Sequence, residues 1–330
     1  MLDGIIGKSF QGEVLSPQEI AYLFEVPLFS EGSARIIAAS RWKSDQACDR
    51  MAEVHAQVGL NVAPCPKNCA FCAFAAVNKV FERASELSVE EAVAAAKQFE
   101  KDGANAIYVM ATADYPFAKY LEMSREIRSN LAKETVLVAN VGDFDRKEAL
   151  QLLDVGYSGI YHAVRLGEGQ VTSLPVEQRL QTFHNAREAG LMIGTCLEPV
   201  GPEHSIEELV EKTIITRECS PCFSGAARRI PIPGTVLACH GIVSEARMAH
   251  ILAVVRLAIG CETPGNCTHE PNVIGAAAGA NLIWAESGSN PRDTEEKTEG
   301  RRGMTVQDCC KVFGEAEWRV LQGPSRLYAK

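Results

Sequence analysis

Three cysteines crowd into the stretch APCPKNCAFCAF at 63–74: Cys65, Cys69 and Cys72, in the spacing C-x3-C-x2-C. Thiols packed this closely make poor hydrophobic core and good soft ligands. They can hold three corners of a cubane iron–sulfur cluster, leaving one iron open to a small-molecule chelator. The same spacing also allows a zinc ion completed by a distant Cys or His, or plain buried thiols. The chain has 12 cysteines. Cys219 and Cys222, Cys261 and Cys267, and Cys309 and Cys310 come in pairs, and Cys48, Cys196 and Cys239 stand alone. The first residues, MLDGIIGKSFQGE, show no basic stretch followed by an apolar one. A cytoplasmic location is therefore expected, where clustered thiols suggest metal or catalysis rather than disulfides.

The elements that must position these residues show a rhythm. Short apolar runs at 59–64, 106–112, 135–141, 159–164, 191–197, 227–232 and, more weakly, 265–270 read as strands. Helical patterns at 88–103, 117–133, 146–156, 176–190, 205–219 and 244–260 lie between them. Six or seven such units predict a parallel sheet and an α/β fold, a (β/α) TIM-type barrel, full or nearly full. Residues 1–58 read as a helical extension, with a capping box at Ser16 and Glu19 and a long helix over 31–59. The barrel is placed at 59–286 and a C-terminal loop and helix at 287–330. The cysteine motif follows the first predicted strand, so it falls in the first βα loop, at the end of a barrel where active sites are built.

Length and charge bound the function. At 330 residues the soft prior is two domains, but one barrel with extensions also fits. Hydrophobic residues make up 46%, enough for a large core, and the net charge of -9 argues against nucleic acid or an anionic membrane as partner. No apolar run is long enough to span a bilayer. No phosphate-cradling glycine loop or Ser-His-Asp arrangement is recognisable, so dehydrogenase and hydrolase readings lack support.

C-x3-C-x2-C with Phe71 just before the last cysteine, after the first strand of a barrel, resembles the radical S-adenosylmethionine (SAM) superfamily. The resemblance implies a [4Fe–4S] cluster on Cys65, Cys69 and Cys72, with SAM on the fourth iron. It implies cleavage of SAM to a 5′-deoxyadenosyl radical that abstracts hydrogen from an unactivated carbon. It also implies cofactor contacts at Phe71, at Met110, Ala111 and Thr112 ending the second strand, at Asn140 ending the third, and at Arg165 and Glu168 after the fourth. Later segments are similar to biotin synthases: GAAAGANLIWAE (275–286), NPRD (290–293) and RRIPIPGTVL (228–237).

That branch implies a sulfurtransferase with a second, sulfur-donating cluster. The second and third predicted strands carry no cysteine here. Cys196, Cys219, Cys222 and Cys267 are the expected ligands of a variant auxiliary iron–sulfur cluster, with Cys219 and Cys222 entering strand six and Cys267 by strand eight. Cys309 and Cys310 cannot both face inward and read as structural. Dethiobiotin is the favoured substrate, and an octanoyl chain on a carrier protein, as in lipoyl synthases, is the alternative. A radical mutase, lyase or methyltransferase is a further one. A flavodoxin or ferredoxin as electron donor and a homodimer complete the expectation. His162 could touch substrate or SAM or simply pack, and His269 could be a cluster ligand, a substrate contact or a packing residue. Of Arg228 and Arg229, strand alternation admits only one to the interior.

Overall fold

The computed structural model describes residues 1–270 and 272–329. Eight parallel strands close into a barrel: β1 (Met51–Gly59), β2 (Ala106–Met110), β3 (Val136–Asn140), β4 (Tyr157–Tyr161), β5 (Met192–Gly194), β6 (Phe223–Arg228), β7 (Gly265–Cys267) and β8 (Leu282–Gly288). β1 pairs with both β2 and β8, His55 opposite Ala106 and Trp284, and the ring closes through Phe223↔Gly265 and Cys267↔Leu282. The barrel expectation is borne out.

Two corrections concern its start. The helix over 31–59 stops at Ala47, and the first strand is Met51–Gly59 rather than 59–64. Alternation decides this. Ala52, Val54, Ala56 and Val58 face the helices, while Glu53, His55 and Gln57 point into the barrel. A period of two, with polar residues on a closed interior, won over a looser helical pattern. The barrel therefore begins inside the stretch read as helical extension.

Further corrections concern its end. The motif GAAAGANLIWAE contains β8, which makes the stretch at 265–267 the seventh strand, so Cys267 lies on β7. The sixth strand runs 223–228, four residues earlier than predicted. The last helix ends at Glu315 rather than 321, and Arg319–Val320 pair with β1.

Local sequence explains the βα units. Capping boxes start the helices at Ser88/Glu91, Asp145/Glu148 and Ser205/Glu208, and left-handed glycines, Gly156 and Gly190, stop the helices Arg146–Val155 and Val176–Ala189. The N-terminal helices α1 (Leu2–Phe10), α2 (Pro17–Glu25) and α3 (Glu31–Ala47) pack on the helix Glu245–Ala258, which they bury nearly all round.

The lumen is filled with rings. Tyr108, Phe223 and Trp284 pack from β2, β6 and β8, and Tyr328 enters from the C-terminal segment. Tyr328 takes the room that Gly159 and Gly194 leave. A Cβ on Gly159 would lie 2.5 Å from its ring, and one on Gly194 2.8 Å from its hydroxyl. The segment is tied down at Glu53, which accepts from the backbone of Arg326 at 2.8 Å and from His55 Nε2 at 2.8 Å. The other His55 nitrogen is 3.0 Å from Tyr108 Oη, which lies 3.1 Å from Tyr328 Oη. The N-terminal end of the barrel is thus sealed, and the C-terminal end stays open.

Candidate active site

A cavity of about 200 Å³ opens at the C-terminal end of the strands. Cys65, Cys69 and Cys72 line it, carried by a loop braced from within. Cys65 N donates to Phe74 O at 2.7 Å, Cys72 N to Cys69 O at 2.9 Å, and Asn78 Nδ2 to Cys72 O at 2.8 Å. Burial pushes the Cys65 and Cys72 thiols up to about 11 and about 12, so bare thiols stay protonated at neutral pH. Cationic iron would draw out the thiolates. Three soft donors on one loop, each free to meet a different iron, fit a cubane with one open corner.

The structure brings most of the expected cofactor contacts to this same cavity: Phe71, Met110, Ala111, Thr112, Asn140 and Arg165. Two of them are held by side chains. Asn61 exchanges a pair of 2.9 Å hydrogen bonds with Thr112, and Asn140 Nδ2 donates to Gln57 Oε1 at 2.9 Å. Glu168 does not join them. It is buried beside the cavity, accepts from Arg165 N at 3.0 Å and Thr172 Oγ1 at 2.7 Å, and lies 3.6 Å from Arg179 Nε. It braces the loop that carries Arg165.

His162 is buried at 2% exposure. Burial and the Arg179 charge push it down to about 3, so it is neutral. Its Nε2 lies 3.3 Å from Asp143 Oδ1. Asp143, held well below the usual carboxylate range by His162 and Arg179 despite its burial, anchors Arg179 at 3.0 Å. Arg228 and Arg229 both reach the cavity, contrary to the alternation argument, because β6 ends at Arg228. Arg229 pairs with both carboxylate oxygens of Glu203, and Arg228 with Glu270 at 2.9 Å. Gly201 makes room for the first pair, since a Cβ there would lie 2.5 Å from the guanidinium.

The four late cysteines do not assemble. Cys196 and Cys267 are buried together in the lumen, within thiol hydrogen-bonding reach. Cys222 sits in the lumen toward Tyr328. Cys219 caps the helix Ile206–Glu218 and packs in the outer layer between helices and strands. This donor set does not fit the variant auxiliary cluster expected from the sequence. Cys261 is exposed and elsewhere, and Cys309 is buried behind β1 and β8 as a packing residue.

The segments GAAAGANLIWAE and NPRD hold Glu286, Asn290 and Arg292, to which sequence reasoning gave no role, and with Glu198 these form a further wall of the cavity. Arg292 Nη2 donates to Glu286 Oε1 at 2.7 Å and to His269 Nδ1 at 2.9 Å, and His269 stacks on Trp284 with centroids 4.7 Å apart. The strap 289–292 descends because Gly59 and Gly288 cross with almost no gap, and Ala73 N bonds Pro291 O at 3.0 Å. The Gly59–Gly288 pair was a findable signal, had 51–59 been read as a strand.

Comparison with known proteins agrees with this geometry. Residues 64–213 match the family model described as the Radical SAM superfamily. Biotin synthase from Salinispora tropica is 26% identical over 218 residues, 64% of this chain and 66% of that enzyme. The enzyme from Carboxydothermus hydrogenoformans is 25% identical over 210 residues, 60% and 64%. The aligned part thus spans just under two thirds of these relatives. Biotin synthase from Alkalilimnicola ehrlichii aligns at 25% over 92% of this chain and 96% of its own. The FeFe-hydrogenase maturase HydG from Carboxydothermus hydrogenoformans superimposes with a TM-score of 0.81 at 19% identity, over 100% of this chain and 81% of that one. Methylornithine synthase (PylB) does so with 0.80 at 16%, over 98% of both. These two show the shared fold. A radical SAM domain is thus matched over residues 64–213, on a closed (β/α) barrel. Over its aligned parts the sequence is similar to biotin synthases, at about a quarter identity.

Proposed function

We propose that this enzyme cleaves SAM at the barrel mouth and applies the radical to a small molecule in the same cavity, rearranging or breaking it without sulfur from a second cluster. The observation that carries this reading is the arrangement of the cysteines. Cys65, Cys69 and Cys72 share one cavity with the expected SAM contacts, while Cys196, Cys219, Cys222 and Cys267 are divided between lumen and outer layer. When bound, the reduced cluster and SAM supply a 5′-deoxyadenosyl radical able to take a hydrogen atom from a C–H bond. The electron comes from a flavodoxin- or ferredoxin-type donor.

The protein's part is binding, orientation and exclusion of water. Arg165 holds its charge because Glu198 and Glu168 favour it against burial, which suits it to a carboxylate. The braced Thr112 and Asn140 fix polar atoms on the β2–β3 side. The ring-filled lumen below closes the site to solvent. Sulfur insertion into dethiobiotin is favoured by the biotin synthase relatives.

The test is anaerobic reconstitution. About four iron and four sulfide per chain are expected, one four-iron cluster. Cys65→Ala should abolish SAM cleavage, and Cys219→Ala with Cys222→Ala should leave iron content unchanged. About eight of each, falling to about four on those last two substitutions, would overturn this reading in favour of sulfur insertion.

A further inference from the structure

The wall formed by Glu198, Glu286, Asn290 and Arg292 carries its own pattern of charge. Glu198 lies between Arg165 and Arg292 and acts on both charges; its nearest cationic partner is Arg165 Nε, 3.5 Å away. No hydrogen-bond donor among the described residues bonds its side chain, so this carboxylate faces the cavity with lone pairs to spare. Arg292 is fixed through a single nitrogen. Its Nη2 serves both Glu286 and His269, which leaves the Nε and Nη1 hydrogens without a protein acceptor among the described residues. Beside it Asn290, 1% exposed, accepts at Oδ1 from Arg292 N at 2.9 Å. The Nδ2 of Asn290 is buried with no partner. An orphaned amide donor on a cavity wall is costly unless a ligand accepts from it. His269 adds another donor. It is held neutral by burial and by Arg292, and it accepts at Nδ1, so its proton sits on Nε2.

Donors for an anion therefore cluster at Arg292, Asn290 and His269, and an acceptor for a cation stands next to them at Glu198. The fixed charges Arg165, Glu198, Arg292 and Glu286 sum to zero, so the wall suits a neutral dipolar molecule better than a net anion. We propose that the substrate is a small free amino acid, its carboxylate taken by Arg292 and the Asn290 amide and its ammonium by Glu198. This deepens the reading above and rests on it, because the molecule must share the cavity with SAM. A guanidinium with spare hydrogens is the strong group for a carboxylate, and a carboxylate with spare lone pairs is its counterpart for an ammonium.

The experiment is calorimetric titration of the anaerobically reconstituted enzyme, saturated with SAM, with a panel of free L-amino acids. The same amino acids as methyl esters, the same as N-acetyl derivatives, and dethiobiotin are titrated in parallel. At least one free amino acid should bind, and masking either end should weaken it about tenfold or more. Arg292→Gln should weaken the free amino acid but not further weaken its ester. Glu198→Gln should weaken the free amino acid but not further weaken its N-acetyl form. Arg292→Lys keeps the charge beside Glu286 and guards against loss of fold, which iron content checks in each variant. Equal binding of free and masked forms, or binding of dethiobiotin and no amino acid, would overturn the proposal while leaving the radical reading standing. Failure of SAM itself to bind would overturn both.

Discussion

Arg229 and Glu203 show what a single residue must supply here. Arg229 is 2% exposed and its guanidinium is matched by one carboxylate. Glu203→Gln leaves a buried charge without its counterion and should cost roughly 2–4 kcal/mol, read as a shift of the urea midpoint. An unchanged midpoint would mean that Arg229 finds another partner. Titration follows the same logic. Burial depresses His162 to about 3 and also lowers His204, His250 and His269. The unfolded chain takes up these protons near its ordinary 6.5 and the folded chain does not. Stability should therefore fall steadily as pH drops from about 6.5, before carboxylates titrate. Glu203, pulled down to about 2 by Arg229 against its burial, adds a second loss below its ordinary 4.5. A urea midpoint flat between pH 6.5 and 5 would contradict the burial of these rings.

At the scale of elements, the crossing of β1 and β8 sets the site. Gly288 has φ +74, and a Cβ there would meet the Gly59 carbonyl oxygen at 2.2 Å. Gly288→Ala should cost roughly 1–3 kcal/mol, since both the backbone conformation and the contact oppose it. Chemical denaturation measures that cost. Because the strap 289–292 hangs from this crossing, protease sensitivity near residue 292 should rise with it. A strap that stays protected would show that its bond from Ala73 to Pro291 suffices. The β1 strand itself was legible in principle. Its alternation Ala52, Val54, Ala56, Val58 is clean, but His55 and Gln57 on the other face are unusual for an ordinary half-exposed strand. A barrel interior, closed on itself, lets polar rings and amides satisfy one another there.

At the scale of the molecule, the barrel is sealed at one end by residues far away in sequence. Tyr328 fills the space over Gly159 and Gly194 and links to Tyr108 and His55. Tyr328→Ala should lower stability by about 3–5 kcal/mol through the void it leaves, visible as a lower Tm. Tyr328→Phe should cost nearer 1 kcal/mol, the hydroxyl contact alone. A Tm unmoved by Tyr328→Ala would mean that the rings from β2, β6 and β8 already fill the lumen.

The sequence alone determined the local and periodic features. C-x3-C-x2-C is a contiguous motif whose ligands share one loop in any fold, so Cys65, Cys69 and Cys72 could be read without tertiary information. The alternation of helix and strand is likewise local, and it was enough for a parallel barrel. Tertiary structure decided what depends on residues distant in the chain. Cys219 and Cys222 look like a ligand pair by spacing, yet a helix end turns one outward and a strand start sends the other inward. Glu286 and Arg292 fall in the segments GAAAGANLIWAE and NPRD, but nothing local says that they meet Glu198. Only ring closure brings the segment after β5 and the end of β8 together on one small cavity and makes a binding wall of them.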